Sequence, residues 1–157
     1  MTATVLVVDD EETARLAIGG FLNQKGYEGL GAGTLAEARE ILQKGSADII
    51  VLDVRLPDGY GPHLLAETAR MTSRPEVIII TAHGDISMAV EAMKNGAHDF
   101  IEKPLDLITL EESISRAAKT VSMRRELNHL RASQANQEPF IIGSTPEKPN
   151  VVNLAKS

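Results

Sequence analysis

Residues 4–12 read TVLVVDDEE and residues 48–57 read DIIVLDVRLP. In each, four consecutive aliphatic residues, Val5–Val8 and Ile49–Leu52, run straight into an aspartate. An unbroken aliphatic run of this length is the pattern of a strand buried on both faces, the kind found in parallel sheets covered by helices. Asp9, Asp10 and Asp53 then end strands that finish at one sheet edge, which is where ligands bind in open α/β sheets. The three acids should form a cluster. Two unit charges about 4 Å apart repel by about 4 kcal/mol at an effective dielectric near 20, so a cation must balance them.

Outward from these two strands, helical and extended patterns alternate. Glu12 to Gln24 places Ala14, Ala17, Ile18, Phe21 and Leu22 on one helical face and stops at Lys25-Gly26. Tyr27 to Ala32 is a short strand. Thr34-Leu35-Ala36-Glu37 has capping-box spacing and opens a helix carrying Leu35, Ala38, Ile41 and Leu42. After the strand Asp48 to Asp53 comes a Pro/Gly-rich loop, Leu56 to Gly61, then a helix to about Met71 and a strand Glu76 to Thr81. Asp85 is placed to cap a helix with Ile86, Ala89, Val90 and Met93 inward, and Asn95-Gly96 stops it. His98 to Glu102 is a fifth strand, followed by Lys103-Pro104 and a last helix from about Asp106.

Five such repeats with short right-handed crossovers predict a doubly wound, flavodoxin-like (βα)5 parallel sheet of strand order 2-1-3-4-5, with an extended C-terminal helix. That order makes strands one and three neighbours and brings the three aspartates together. In the last helix, Leu107, Leu110, Ile114, Ala117 and Val121 keep a spacing suited to packing on the sheet, whereas Met123, Leu127 and Leu130 lie on a shifted stripe flanked by charges, as in a coiled-coil seam.

A net charge of -6 over 157 residues provides no basic field for nucleic acid. There is no cysteine, hence no disulfide and no thiolate metal site. No apolar run approaches the roughly 18 residues that span a bilayer, and the N-terminus lacks a signal-peptide pattern, so a cytoplasmic protein is expected. His63, His83, His98 and His129 have no metal-ligand spacing and are expected at the surface.

Hard oxygen ligands favour Mg²⁺, which typically takes one or two carboxylates plus a phosphate. A carboxylate can also attack phosphorus and form an aspartyl-phosphate. Lys103 would supply positive charge for the transferred oxygens, and Thr81 a hydroxyl. VVDDE (7–11), DVRLP (53–57), ITAHGD (80–85) and FIEKP (100–104) together resemble the signatures of response-regulator receiver domains, over about residues 3 to 120. The resemblance implies that Asp53 is the phosphoacceptor and that Mg²⁺ is held by Asp9, Asp10, Asp53 and the backbone carbonyl of Arg55. It also makes Thr81 the switch hydroxyl, Phe100 the switch aromatic, Lys103 the lysine before a cis proline, and Arg55 and His83 the positions that tune the lifetime of the phosphorylated state. The implied phosphodonor is a sensor histidine kinase. Pro57-Asp58-Gly59-Tyr60-Gly61 departs from the family's usual Pro-Gly-Met-Asp-Gly.

Residues 81–104, the long helix and FIIGSTP (140–146) resemble the sigma-54-dependent activators. A receiver would then occupy residues 1–120, a linker helix and possible coiled coil 121–139, and the start of a truncated ATPase domain or a tail 140–157. That implies a homodimer through the C-terminal helix, no direct nucleic-acid binding by these residues, and no enzymatic turnover beyond the domain's own phosphorylation and dephosphorylation. Three other readings compete. A haloacid-dehalogenase-type phosphatase wants an Asp where Arg55 stands, and a flavodoxin wants a hydroxyl-rich loop where Asp9 to Glu12 stand. A phosphorylation-independent docking module would have no need of the acids, the hydroxyl and the lysine.

Overall fold

The computed structural model describes residues 2–45, 47–82 and 85–137, with side chains as far as Ala132. Its order is β1 (Thr4–Val8), α1 (Glu12–Gln24), β2 (Glu28–Ala32), α2 (Leu35–Gln43), β3 (Ile49–Asp53), α3 (Leu64–Thr68), β4 (Glu76–Thr81), α4 (Ile86–Lys94), β5 (Asp99–Glu102) and α5 (Leu107–Gln137). All strand pairs in the sheet are parallel, and the spatial order is β2-β1-β3-β4-β5. This is the expected flavodoxin-like arrangement. The chain divides into two compact units after Val121, so α5 contributes to both.

Strand alternation sends side chains to opposite faces. Leu6, Val8, Ile50, Leu52, Val77 and Ile79 pack with residues of α2, α3 and α4. Val5, Val7, Ile49, Val51, Ile78 and Ile80 pack with Ile18 and Leu22 of α1 and with Leu110, Ile114 and Ala117 of α5. Burying one Leu or Ile completely contributes about 1.5–3 kcal/mol, and the three central strands are buried almost throughout. They form a rigid floor that fixes where the strand ends point.

Two faces differ from expectation. On α4, Ala89 and Ala92 face the core while Ile86, Val90 and Met93 are exposed. Small residues let the helix lie close to the sheet, so its larger apolar side chains point away. On α1, Ala17 is exposed, and the buried face is made by Ile18 and Leu22 with Phe21 partly buried against the same core. The third helix is also shorter than expected, a 3₁₀ turn at Gly61–His63 leading into α3. No helix among the described residues is long and apolar enough to cross a membrane.

The last helix keeps its expected inner stripe, with Leu110, Ile114, Ala117 and Val121 buried. In the second unit Met123, Leu127 and Leu130 are 68%, 47% and 53% exposed. The segment 140–157, including FIIGSTP, lies outside the described residues.

Candidate functional site

β1 and β3 are hydrogen-bonded neighbours with Val8 opposite Leu52, so the residues that follow them emerge side by side. Asp9, Asp10 and Asp53 each offer a carboxylate oxygen, and these atoms all lie within 4.8 Å of one another. Asp9 and Asp53 are buried, and Asp10 is exposed. One Asp9 oxygen accepts from the Glu11 backbone N–H at 2.9 Å, which fixes its rotamer.

Lys103 arrives from the far side, at the end of β5, where its backbone N–H donates to the Thr81 carbonyl at 2.8 Å. The Lys103–Pro104 peptide is cis. The lysine Nζ lies 3.3 Å from Asp53 Oδ2 and 3.8 Å from Asp9 Oδ2. Burial pushes the Asp53 carboxyl above its ordinary range, and Asp9 adds to the effect while Lys103 and the Val54 N–H oppose it. Burial works against the Lys103 charge, yet the attraction of Asp53 and Asp9 outweighs it and holds the ammonium above its usual value.

Among the described residues, three carboxylates against one ammonium leave the cluster with two unbalanced negative charges. Such a set of hard oxygen donors, partly sunk below the surface, fits a small divalent cation. A histidine or thiolate would favour zinc or copper instead, and among the described residues neither belongs to the cluster.

A response regulator receiver domain model matches residues 5–115. The chain belongs to the response regulator receiver domain family. It is 32% identical to the regulatory protein AtoC of Escherichia coli strain K12 over 80% of this chain, and 38% identical to the transcriptional regulatory protein FixJ of Rhizobium meliloti strain 1021 over 74%. The chain spans 27% of the length of AtoC and 57% of FixJ. The beryllofluoride-activated NtrC4 receiver domain dimer, solved in solution, is 36% identical with a TM-score of 0.70, covering 75% of this chain and 98% of that one.

Around the acids of the receiver, the other expected residues take distinct places. Thr81 ends β4, fully buried, and its hydroxyl donates to the Ala82 carbonyl at 3.2 Å. Phe100 is half-buried on β5 and packs on the core face shared with α2, α3 and α4. Arg55 places its guanidinium on Asp85, with Nη2 to Oδ1 at 3.2 Å. Asp85 occupies the N-cap position of α4 without capping it through its side chain. His83 lies outside the described residues. His98 is half-buried rather than at the surface, with Nδ1 3.5 Å from Glu76 Oε1.

Sequence reasoning passed over three contributors. Arg15 reaches from α1 and donates to the Asp9 carbonyl at 2.7 Å. It passes over Gly31 and Gly33, where a Cβ would lie 3.4 and 3.0 Å from it. Gly61 N–H donates to the Val54 carbonyl at 2.6 Å, and a Cβ at Gly61 would stand 2.0 Å from the Asp53 carbonyl oxygen. Asp99, beside Phe100, accepts from Ser113 at 2.9 Å and from Arg116 at 3.2 Å, tying β5 to α5. The paired absence of side chains at Gly31 and Gly33 was the only signal in the sequence for the first of these.

Proposed function

We propose that this receiver accepts a phosphoryl group on Asp53 from the phosphohistidine of a sensor histidine kinase. One Asp53 oxygen attacks phosphorus as the bond to the imidazole nitrogen breaks, and the nitrogen keeps the electron pair and takes up a proton. Asp9, Asp10, Asp53 and the Arg55 backbone carbonyl would hold Mg²⁺, which supplies charge neutralisation to the transferring oxygens when bound. Lys103 fixes Asp53 in position and offers an ammonium to the incoming phosphoryl group. The observation that carries this reading is the 3.3 Å contact of Lys103 Nζ with Asp53 Oδ2 inside a cluster of three carboxylates.

In the unphosphorylated chain the Thr81 hydroxyl is engaged with its neighbour's carbonyl. A phosphoryl group on Asp53 offers it a better acceptor. Thr81 would turn to it and Phe100 would follow, biasing the β4–α4 and β5–α5 faces between two packings. The domain performs no turnover beyond its own phosphorylation and dephosphorylation.

The output reading rests on sequence resemblance to sigma-54-dependent activators, with a receiver in 1–120, a linker helix and possible coiled coil in 121–139, and the start of an ATPase domain or a tail in 140–157. The receiver would act in the cytoplasm as a homodimer through α5, leaving nucleic acid to other domains. The exposed apolar stripe of Met123, Leu127 and Leu130 supports the dimer.

Incubation with acetyl phosphate and Mg²⁺ should give one alkali- and hydroxylamine-labile phosphate per chain, absent in Asp53→Ala. A phosphorylation-independent docking module predicts no label in either, and label persisting in Asp53→Ala would displace Asp53 as acceptor.

A further inference from the structure

The loop after β3 departs from the family's usual sequence, and the structure gives the departure a partner. Arg55-Leu56 and Gly59-Tyr60 pair antiparallel as a minimal hairpin, with Pro57 and Asp58 at its tip. The Asp58 carboxylate accepts the backbone N–H groups of Leu35 at 2.9 Å and Ala36 at 3.0 Å, residues 23 and 22 positions earlier in the chain. Those are the first two donors of α2, which no residue within the helix can satisfy. Thr34 Oγ1 takes the third, from Glu37, at 3.1 Å. Two carboxylate bonds from the helix N-terminus hold the Asp58 carboxyl below its ordinary range.

We propose that Asp58 is a positioning residue for the metal site. By clamping the hairpin tip to α2 it holds the Arg55 segment in the place from which its carbonyl serves as a ligand. The base of the same loop is held independently by the Gly61 N–H on the Val54 carbonyl, so the hairpin is fixed at both ends. Gly59 is matched to the clamp, since a Cβ there would come 3.0 Å from Leu35 Cδ1. This inference rests on the metal set proposed above.

The test is titration of the unphosphorylated chain with Mg²⁺ alone, followed by ¹H–¹⁵N NMR shifts, with acetyl phosphate labelling rates measured over the same Mg²⁺ range. Asp58→Ala should raise half-saturating Mg²⁺ by about tenfold, the lower end of what losing a ligand-orienting partner costs, with the labelling rate at saturating Mg²⁺ unchanged. Asp58→Asn, which keeps one acceptor oxygen, should fall between. Thr34→Ala removes another cap from the same helix without touching the loop, so it should lower Tm while titrating like wild type. Asp58→Ala titrating like wild type, or Thr34→Ala shifting the Mg²⁺ midpoint equally, overturns the inference and leaves the phosphoacceptor reading intact. A wild-type chain that does not respond to Mg²⁺ overturns the metal set and this inference together.

Discussion

The guanidinium of Arg55, two residues past Asp53, meets the carboxylate of Asp85, four residues past Thr81, at 3.2 Å. One ion pair thus joins the segment that follows Asp53 to the N-cap residue of α4. Arg55 is 67% exposed, and exposed pairs contribute about 0.2–1 kcal/mol, so the contact is easily exchanged. A phosphoryl group on Asp53 would compete with Asp85 for the guanidinium, and Arg55 would then screen phosphorus from water. Arg55→Ala should shorten the half-life of the aspartyl-phosphate, and Asp85→Asn, by freeing Arg55, should lengthen it. Each change should stay within about fivefold, the equivalent of that energy. Half-lives followed by loss of hydroxylamine-labile label decide it, and two unchanged values would remove Arg55 from any lifetime role.

Asp53 carries a stability cost that pH should reveal. Burial and the neighbouring Asp9 raise its carboxyl above the unfolded range, so ionising it is harder in the folded chain than in the unfolded one. The sign follows: the cost is absent below the unfolded pKa of about 3.9, grows as pH rises toward the folded pKa, and is complete above it. Asp53→Asn should therefore melt higher than wild type at neutral pH without divalent metal, by about 2–4 °C for each kcal/mol relieved. The gap should close on acidification. Thermal melts at several pH values would show it, and a variant less stable at neutral pH contradicts the assignment.

Gly61 is the position where the loop touches the backbone of Asp53. A methyl group there would overlap the Asp53 carbonyl oxygen, at 2.0 Å, and backbone cannot swing aside as a side chain tip can. Gly61→Ala should cost about 1–3 kcal/mol by overpacking and slow labelling by acetyl phosphate. Denaturant unfolding together with labelling rates checks both parts. Wild-type behaviour in both would mean that the loop has room to move.

Much of this fold was legible because the decisive strands are buried on both faces, so Val5–Val8 and Ile49–Leu52 announce themselves as continuous aliphatic runs. Their shared edge then placed the three aspartates together. The misreadings share a cause. Helical periodicity identifies an apolar stripe but not what covers it, so Ile86, Val90 and Met93 read as core when Ala89 and Ala92 face the sheet. Capping spacing found Thr34 on Glu37, although the Glu37 carboxylate reaches back to the Gly33 N–H at 2.7 Å rather than to Thr34. Asp58 on α2 and Arg55 on Asp85 escaped because their partners lie 22 to 30 residues away, beyond any local pattern.

The exposed stripe on α5 leads to the last prediction. Met123, Leu127 and Leu130 recur at intervals of four and three, the spacing of a two-helix seam, and leaving three such side chains in water is unfavourable. If this stripe joins two receivers, Leu127→Ser with Leu130→Ser should weaken self-association at least tenfold, since each buried leucine contributes about 1.5–3 kcal/mol. Labelling of Asp53 should be unaffected, because the inner stripe at Leu110, Ile114, Ala117 and Val121 is untouched. Light scattering across a concentration series, with and without beryllofluoride and Mg²⁺, measures the association. A double variant that dimerises like wild type in both conditions would move the interface elsewhere, to a surface such as the apolar face of α4.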